Sequence, residues 1–122
     1  MNPGVTVSPQ AIMAAAVLDA RRKNEPLEIE GISKLFLDLE RKGIDLGQIA
    51  LRRVPGGVYS DDAEAFVGRF LAAGYATARS PIKFLEKGIA ICQNIFQKEC
   101  KRNPDNLREA LTVLGLKPES QD

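Results

Sequence analysis

Asp61, Asp62 and Glu64 crowd one short stretch of the chain, with Tyr59 and Ser60 just before them. Carboxylates at that density could hold a divalent cation, and a serine hydroxyl could attack a carbonyl. The attack needs a base, and the chain has no histidine to supply one, which also removes the commonest zinc ligand. The carboxylates have a simpler reading: acidic residues in a helix's first turn satisfy its free N–H groups and its dipole. Cys92 and Cys100 could sense redox state. On one helix they would stand about 12 Å apart along the axis, beyond the roughly 7 Å Cα limit for a disulfide. They read as reduced thiols packed on an apolar stripe. No Walker-type loop, Cys-x-x-Cys pair or dinucleotide fingerprint occurs. No catalytic activity, cofactor or metal is expected.

Composition narrows the partners. A chain of 122 residues suffices for one domain with a real core. Its net charge of +1 creates no overall field toward nucleic acid or acidic membrane, so any basic site must be local. The apolar run at residues 11–18 is too short to span a bilayer. No basic residue precedes it, as a secretory leader would require. A cytoplasmic protein that stays off the membrane is expected.

The elements that must position these groups follow from caps and periodicity. Residues 1–7 and 117–122 read as loose tails around a single domain. Ser8 and Pro9 start a helix running to about residue 22, with Ile12, Met13, Ala16, Val17 and Ala20 as its stripe. A second helix covers about 30–42, with Ile32, Leu35, Phe36 and Leu39 at helical spacing. Gly43 suits its C′ position and Ile44 the Schellman contact with Leu39. Asp45 and Gln48 form a capping box for a short helix with Leu46, Ile49 and Ala50 buried, which Pro55 ends. Pro55-Gly56-Gly57 is a turn. Asp61 and Glu64 form another capping box. From there Ala63, Phe66, Val67, Phe70 and Leu71 give the clearest amphipathic signal of the chain. Phe66, Val67 and Phe70 are expected to anchor the core. Residues 75–79 and 82–85 form a minimal hairpin around Ser80-Pro81. A long helix over 86–102 and a last one from Pro104 to Leu114 close the chain, with Gly115 as the final cap.

Two short strands between helices describe the wing of a winged helix, and the residues resemble that family directly. Ile82-Lys83-Phe84-Leu85-Glu86-Lys87-Gly88 is similar to the family's (I/V)-x-L-T-E-K-G element, with Leu85 in place of Thr. The segment 44–54, IDLGQIALRRV, is similar to its first helix-turn-helix (HTH) helix. The resemblance covers about residues 30–100, and the outer helices resemble those of the multiple-antibiotic-resistance-type regulators. It implies a mainly α winged helix-turn-helix fold, with a short two-stranded wing and flanking N- and C-terminal helices. The loop from Pro55 to Ser60 also resembles one in some antitoxin-associated domains.

That resemblance implies double-stranded DNA as a partner, held by Arg52 and Arg53 at the end of the first HTH helix and by Arg79 and Lys83 at the wing, with Lys87 close by. It places Ser60 and Arg69 on the reading helix. The same helix opens on Asp61, Asp62 and Glu64, which repel phosphates, and its outward face (Ala65, Gly68, Arg69, Ala72) is mostly small. A transcription regulator and a protein-interaction winged helix without DNA binding therefore both stand. A homodimer is expected through Ile12, Met13, Val17, Leu107, Leu111 and Leu114, whose apolar surface exceeds what a lone winged helix can cover.

Overall fold

The computed structural model describes residues 5–118. Its elements run α1 (Pro9–Lys23), α2 (Ile29–Arg41), β1 (Leu51–Val54), β2 (Gly57–Ser60), α3 (Asp61–Ala72), β3 (Ala76–Arg79), β4 (Ile82–Phe84), α4 (Glu86–Arg102) and α5 (Pro104–Leu114). The fold is mainly helical, and its strands form two separate antiparallel hairpins, β1–β2 and β3–β4.

Helix α1 lies at the centre. Ser8 caps it by accepting from the Ala11 N–H at 3.4 Å, Pro9 opens it, and Asn24 ends it in the left-handed region at φ 54°. Every residue from 11 to 20 is buried, so the helix is enclosed on all sides and not along one stripe. Its alanines leave room for α4, which packs along it. This overturns the ground for the expected dimer. Ile12, Met13, Val17 and Leu107 are 0–3% exposed within a single chain, and only Leu111 and Leu114 remain half-buried.

Two buried carboxylates fasten the chain ends to this core. Asp19 accepts from the Lys117 N–H at 2.9 Å and pairs with Lys23 and Arg22. Glu99 accepts from the Ser8 N–H at 3.1 Å and pairs with Arg102 at 2.7 Å. Burial pushes both pKa values up. Hydrogen bonds from Lys117 and Lys23 to Asp19, and from Ser8 and Arg102 to Glu99, outweigh burial and hold both carboxyls below their ordinary values. The expected loose tails are thus partly ordered. The Val7 N–H donates to the Asp45 carbonyl at 2.9 Å, the Asp45 N–H donates to Val5 at 2.8 Å, and Val7 is 1% exposed. Residues 1–4 and 119–122 lie outside the described residues.

Helix α2 ends as its sequence requires: Gly43 takes φ 79°, and the Ile44 N–H donates to Leu39 at 3.0 Å in a Schellman closure. The following segment departs from expectation. No helix forms over 45–54. Asp45 does cap, but it caps a turn, accepting from the Gly47 N–H at 2.8 Å while Gly47 sits at φ 77°. A left-handed residue there stops helical propagation. Leu51–Val54 instead pairs with Gly57–Ser60, in register Leu51↔Ser60 to Val54↔Gly57. Pro55 and Gly56, the latter at φ 88°, supply the fixed and free φ values that a type II turn needs. Leu46 is buried, Ile49 is half-buried and Ala50 is exposed.

One serine joins this hairpin to the helices on either side. The buried Ser33 hydroxyl donates to the Ile29 carbonyl and accepts from the Ser60 N–H, both at 2.8 Å. Ser60 then caps α3 by accepting from the Ala63 N–H at 3.0 Å. The cap lies one residue before the expected Asp61. Behind it Ala63, Phe66, Val67 and Phe70 are buried. Phe70 meets Phe84 edge-on at 5.3 Å and Phe66 at 4.8 Å between ring centroids, which ties α3 to the second hairpin.

That hairpin hands over to α4 at a close approach. The Leu85 N–H donates to the Tyr75 carbonyl at 2.9 Å. A Cβ on Gly88 would stand 2.4 Å from the same oxygen. Only glycine fits there. Farther along α4, Cys92 is fully buried, burial pushes its thiol up to about 12, and it is not disulfide-linked to Cys100. Among the described residues, no helix is long and apolar enough to cross a membrane.

Candidate functional site

Strand geometry decides where the basic residues point. Arg52 and Arg53 are neighbours on β1, so their side chains leave opposite faces of the ribbon. Arg52 stands opposite Tyr59 in the register, with its guanidinium 5.3 Å from the ring centroid. It grips Asp61 with two donors, Nη2 to Oδ1 at 2.9 Å and Nε to Oδ2 at 3.0 Å. The hydrogen bonds that Arg52 donates to Asp61, and the charge of Asp61, raise the Arg52 pKa further. From the other side, Arg79 at the tip of β3 pairs with Glu64. Asp62 accepts from the Ala50 N–H at 3.3 Å. Each carboxylate in the first turn of α3 thus has its own partner, two of them arginines from different hairpins.

The expected contact set is therefore split. Arg52 and Arg79 converge on the start of α3 but spend their charge within the molecule. Ser60 is fully buried as a cap, so it does not face solvent as a base-reading residue would. Arg69 lies in the last turn of α3, and Lys83 sits on β4. Arg53, Arg69 and Lys83 are exposed, and among the described residues none of them pairs with a carboxylate. Lys87 is exposed on the first turn of α4. The outward side of α3 carries Ala65 and Ala72 exposed and Gly68 half-buried, with open space where a Gly68 side chain would stand. The surface is smooth, with the exposed Arg69 beside it.

Chemically the acidic turn is engaged. Asp61, Asp62 and Glu64 point to three different partners, and among the described residues no group of three or more acidic, cysteine or histidine side chains could hold a metal ion. Sequence reasoning missed Asp19 and Glu99, although a lone acid inside the run AIMAAAVLDA is a signal for a buried, partnered group. It also missed a cavity of about 400 Å³ beside α5, which is lined by Phe96 of α4 and by the stretch from Arg108 to Pro118. Compared with family models, curated proteins and solved structures, the chain matches none.

Proposed function

We propose that this chain is a non-catalytic, cytoplasmic module of winged-helix type that docks a partner protein through the outward side of α3, and that it does not read DNA. The order α3, β3–β4, α4 and the Ile82–Gly88 segment support the winged-helix reading, although a hairpin stands where that family has its first HTH helix. One observation carries the functional choice. Arg52 and Arg79, the cations nearest the start of α3, are each held by a carboxylate of its first turn. A duplex approaching there would meet paired charges and the remaining acid of Asp62, and it would have to break both pairs to gain phosphate contacts. A protein surface asks for less, because small residues permit close packing and exposed ion pairs can rearrange at a polar rim.

The reading is tested by affinity capture with the wild type and with Ala65→Arg, which adds bulk and charge to an exposed α3 position. A partner retained by the wild type and lost by the variant, with unchanged circular dichroism, is the expected result. Equal capture by both proteins would remove α3 from the interface. A second reading rests on Arg53, Arg69 and Lys83, whose charges remain unpaired among the described residues. On that reading they hold DNA phosphates without sequence preference. Neutralising any one of the three by mutation would then reduce the salt slope of log K by about 0.9.

A further inference from the structure

Away from α3, the cavity of about 400 Å³ lies where α5 passes α4 and the chain folds back after Gly115. Its floor is Phe96, 3% exposed, with Leu111, Leu116 and Pro118 around it. Arg108, Leu111, Thr112 and Gly115 follow one another at helical spacing along the wall that α5 provides. The opposite wall is not free to collapse. The Leu116 N–H donates to Leu111 at 3.0 Å, and Arg22 Nε donates to the Lys117 carbonyl at 2.7 Å. Asp19 holds the Lys117 N–H at 2.9 Å. A groove held open in this way is preorganised, and its volume lies in the range of small-molecule sites, roughly 300–1,000 Å³.

The charges that the described residues bring to this groove are of one sign. Arg108 and Lys117 line it, and among the described residues no acidic side chain does. Among the described residues Arg108 makes one ion pair, with Asp105 at 3.7 Å between two mostly exposed side chains, a contact too loose to hold the guanidinium. We propose that this cavity binds a small apolar carboxylate, with an aryl or short alkyl body against Phe96, Leu111 and Leu116 and its carboxylate at Arg108. The site is separate from the α3 face, and the proposal does not depend on the function argued above.

The test is a titration of the full isotope-labelled chain with 4-phenylbutyrate, followed by amide chemical shifts, with 4-phenylbutan-1-ol as the uncharged probe. Saturable shifts centred on α5 and residues 116–118 are expected, with the acid binding about tenfold tighter than the alcohol. Arg108→Gln should remove most of that preference. Thr112→Trp, which fills the groove from an exposed position, should abolish binding while leaving the rest of the spectrum in place. No saturable shift up to about 10 mM, shifts centred elsewhere, equal affinity for acid and alcohol, or undiminished binding by Thr112→Trp would each overturn the proposal.

Discussion

Strands β1 and β2 turn on Pro55-Gly56 and lead into α3, whereas β3 and β4 turn on Ser80-Pro81 and lead into α4. Both hairpins send one arginine to the first turn of α3, Arg52 from the first and Arg79 from the second. They differ in the elements that anchor them. The first hairpin lies against α2 and is fixed by a polar link, Ser33 to the Ser60 N–H. The second has polar links too, from the Ile82 N–H to the Leu27 carbonyl at 2.9 Å and from the Ser80 hydroxyl to Glu28 at 2.8 Å, and it adds aromatic packing of Phe70 on Phe84 and Tyr75 and the seating of Gly88 on the Tyr75 carbonyl. Two small ribbons can therefore deliver the same charge to one helix end while depending on different parts of the core.

The sharpest break in that symmetry comes from Phe70→Ala. The ring is 7% exposed and joins α3 to the second hairpin, so its loss should cost ~3–5 kcal/mol. A denaturant titration giving less than ~1 kcal/mol would place the ring outside the core. Gly88→Ala separates two effects of opposite sign. Helix propensity alone favours alanine by about 1 kcal/mol, but a Cβ 2.4 Å from a backbone oxygen forces α4 away from Tyr75. A net loss of about 1–3 kcal/mol is expected, and a stabilised variant would show that α4 does not sit there. For the first hairpin, Ser33→Ala leaves the buried Ser60 N–H unsatisfied and should cost about 1–3 kcal/mol. No change in the midpoint would mean that the serine link does not hold the hairpin.

The second hairpin is legible in the sequence because every signal in it agrees. Tyr75 and Thr77 alternate with Ala76 and Ala78, Ser80-Pro81 breaks the chain, and a clear helix stands on each side. The first reads wrongly as a helix because Leu46, Ile49 and Ala50 are spaced as a helix face, and Asp45 with Gln48 looks like a capping box. What decides against helix is tertiary. Asp45 spends its backbone groups on Val5 and Val7, far away in sequence, and Gly47 goes left-handed beside it. Local periodicity carries no trace of such a contact. The same limit hides the pairing of Arg52 with Asp61: both residues stand out in the sequence, but on a helix Arg52 would point elsewhere. The apolar excess assigned to a dimer comes from reading α1 as one-sided, when its alanines let neighbours enclose it.

Two buried carboxylates outside both hairpins give the fold a pH dependence of its own. Asp19 and Glu99 have folded pKa values below their ordinary 3.8 and 4.5. Their stabilisation is therefore present above those values and is lost as pH falls through them toward the lower folded values. The melting temperature should hold near neutrality and decline below about pH 5, with a shallower decline in Asp19→Asn. An identical decline in that variant would mean that the carboxylate does not hold the 116–118 segment.

The central claim is that α3's first turn neutralises the arginines both hairpins bring to it. Fluorescence anisotropy of a labelled random duplex at low salt tests this on two proteins, the wild type and the double variant Asp61→Asn, Glu64→Gln, which frees Arg52 and Arg79 together. No measurable binding by the wild type is expected. Salt-dependent, sequence-independent binding by the variant is expected, with a log K slope of about −0.9 for each phosphate contacted. Wild-type binding of the duplex as tight as the variant's, or a variant that still binds nothing, would contradict the claim.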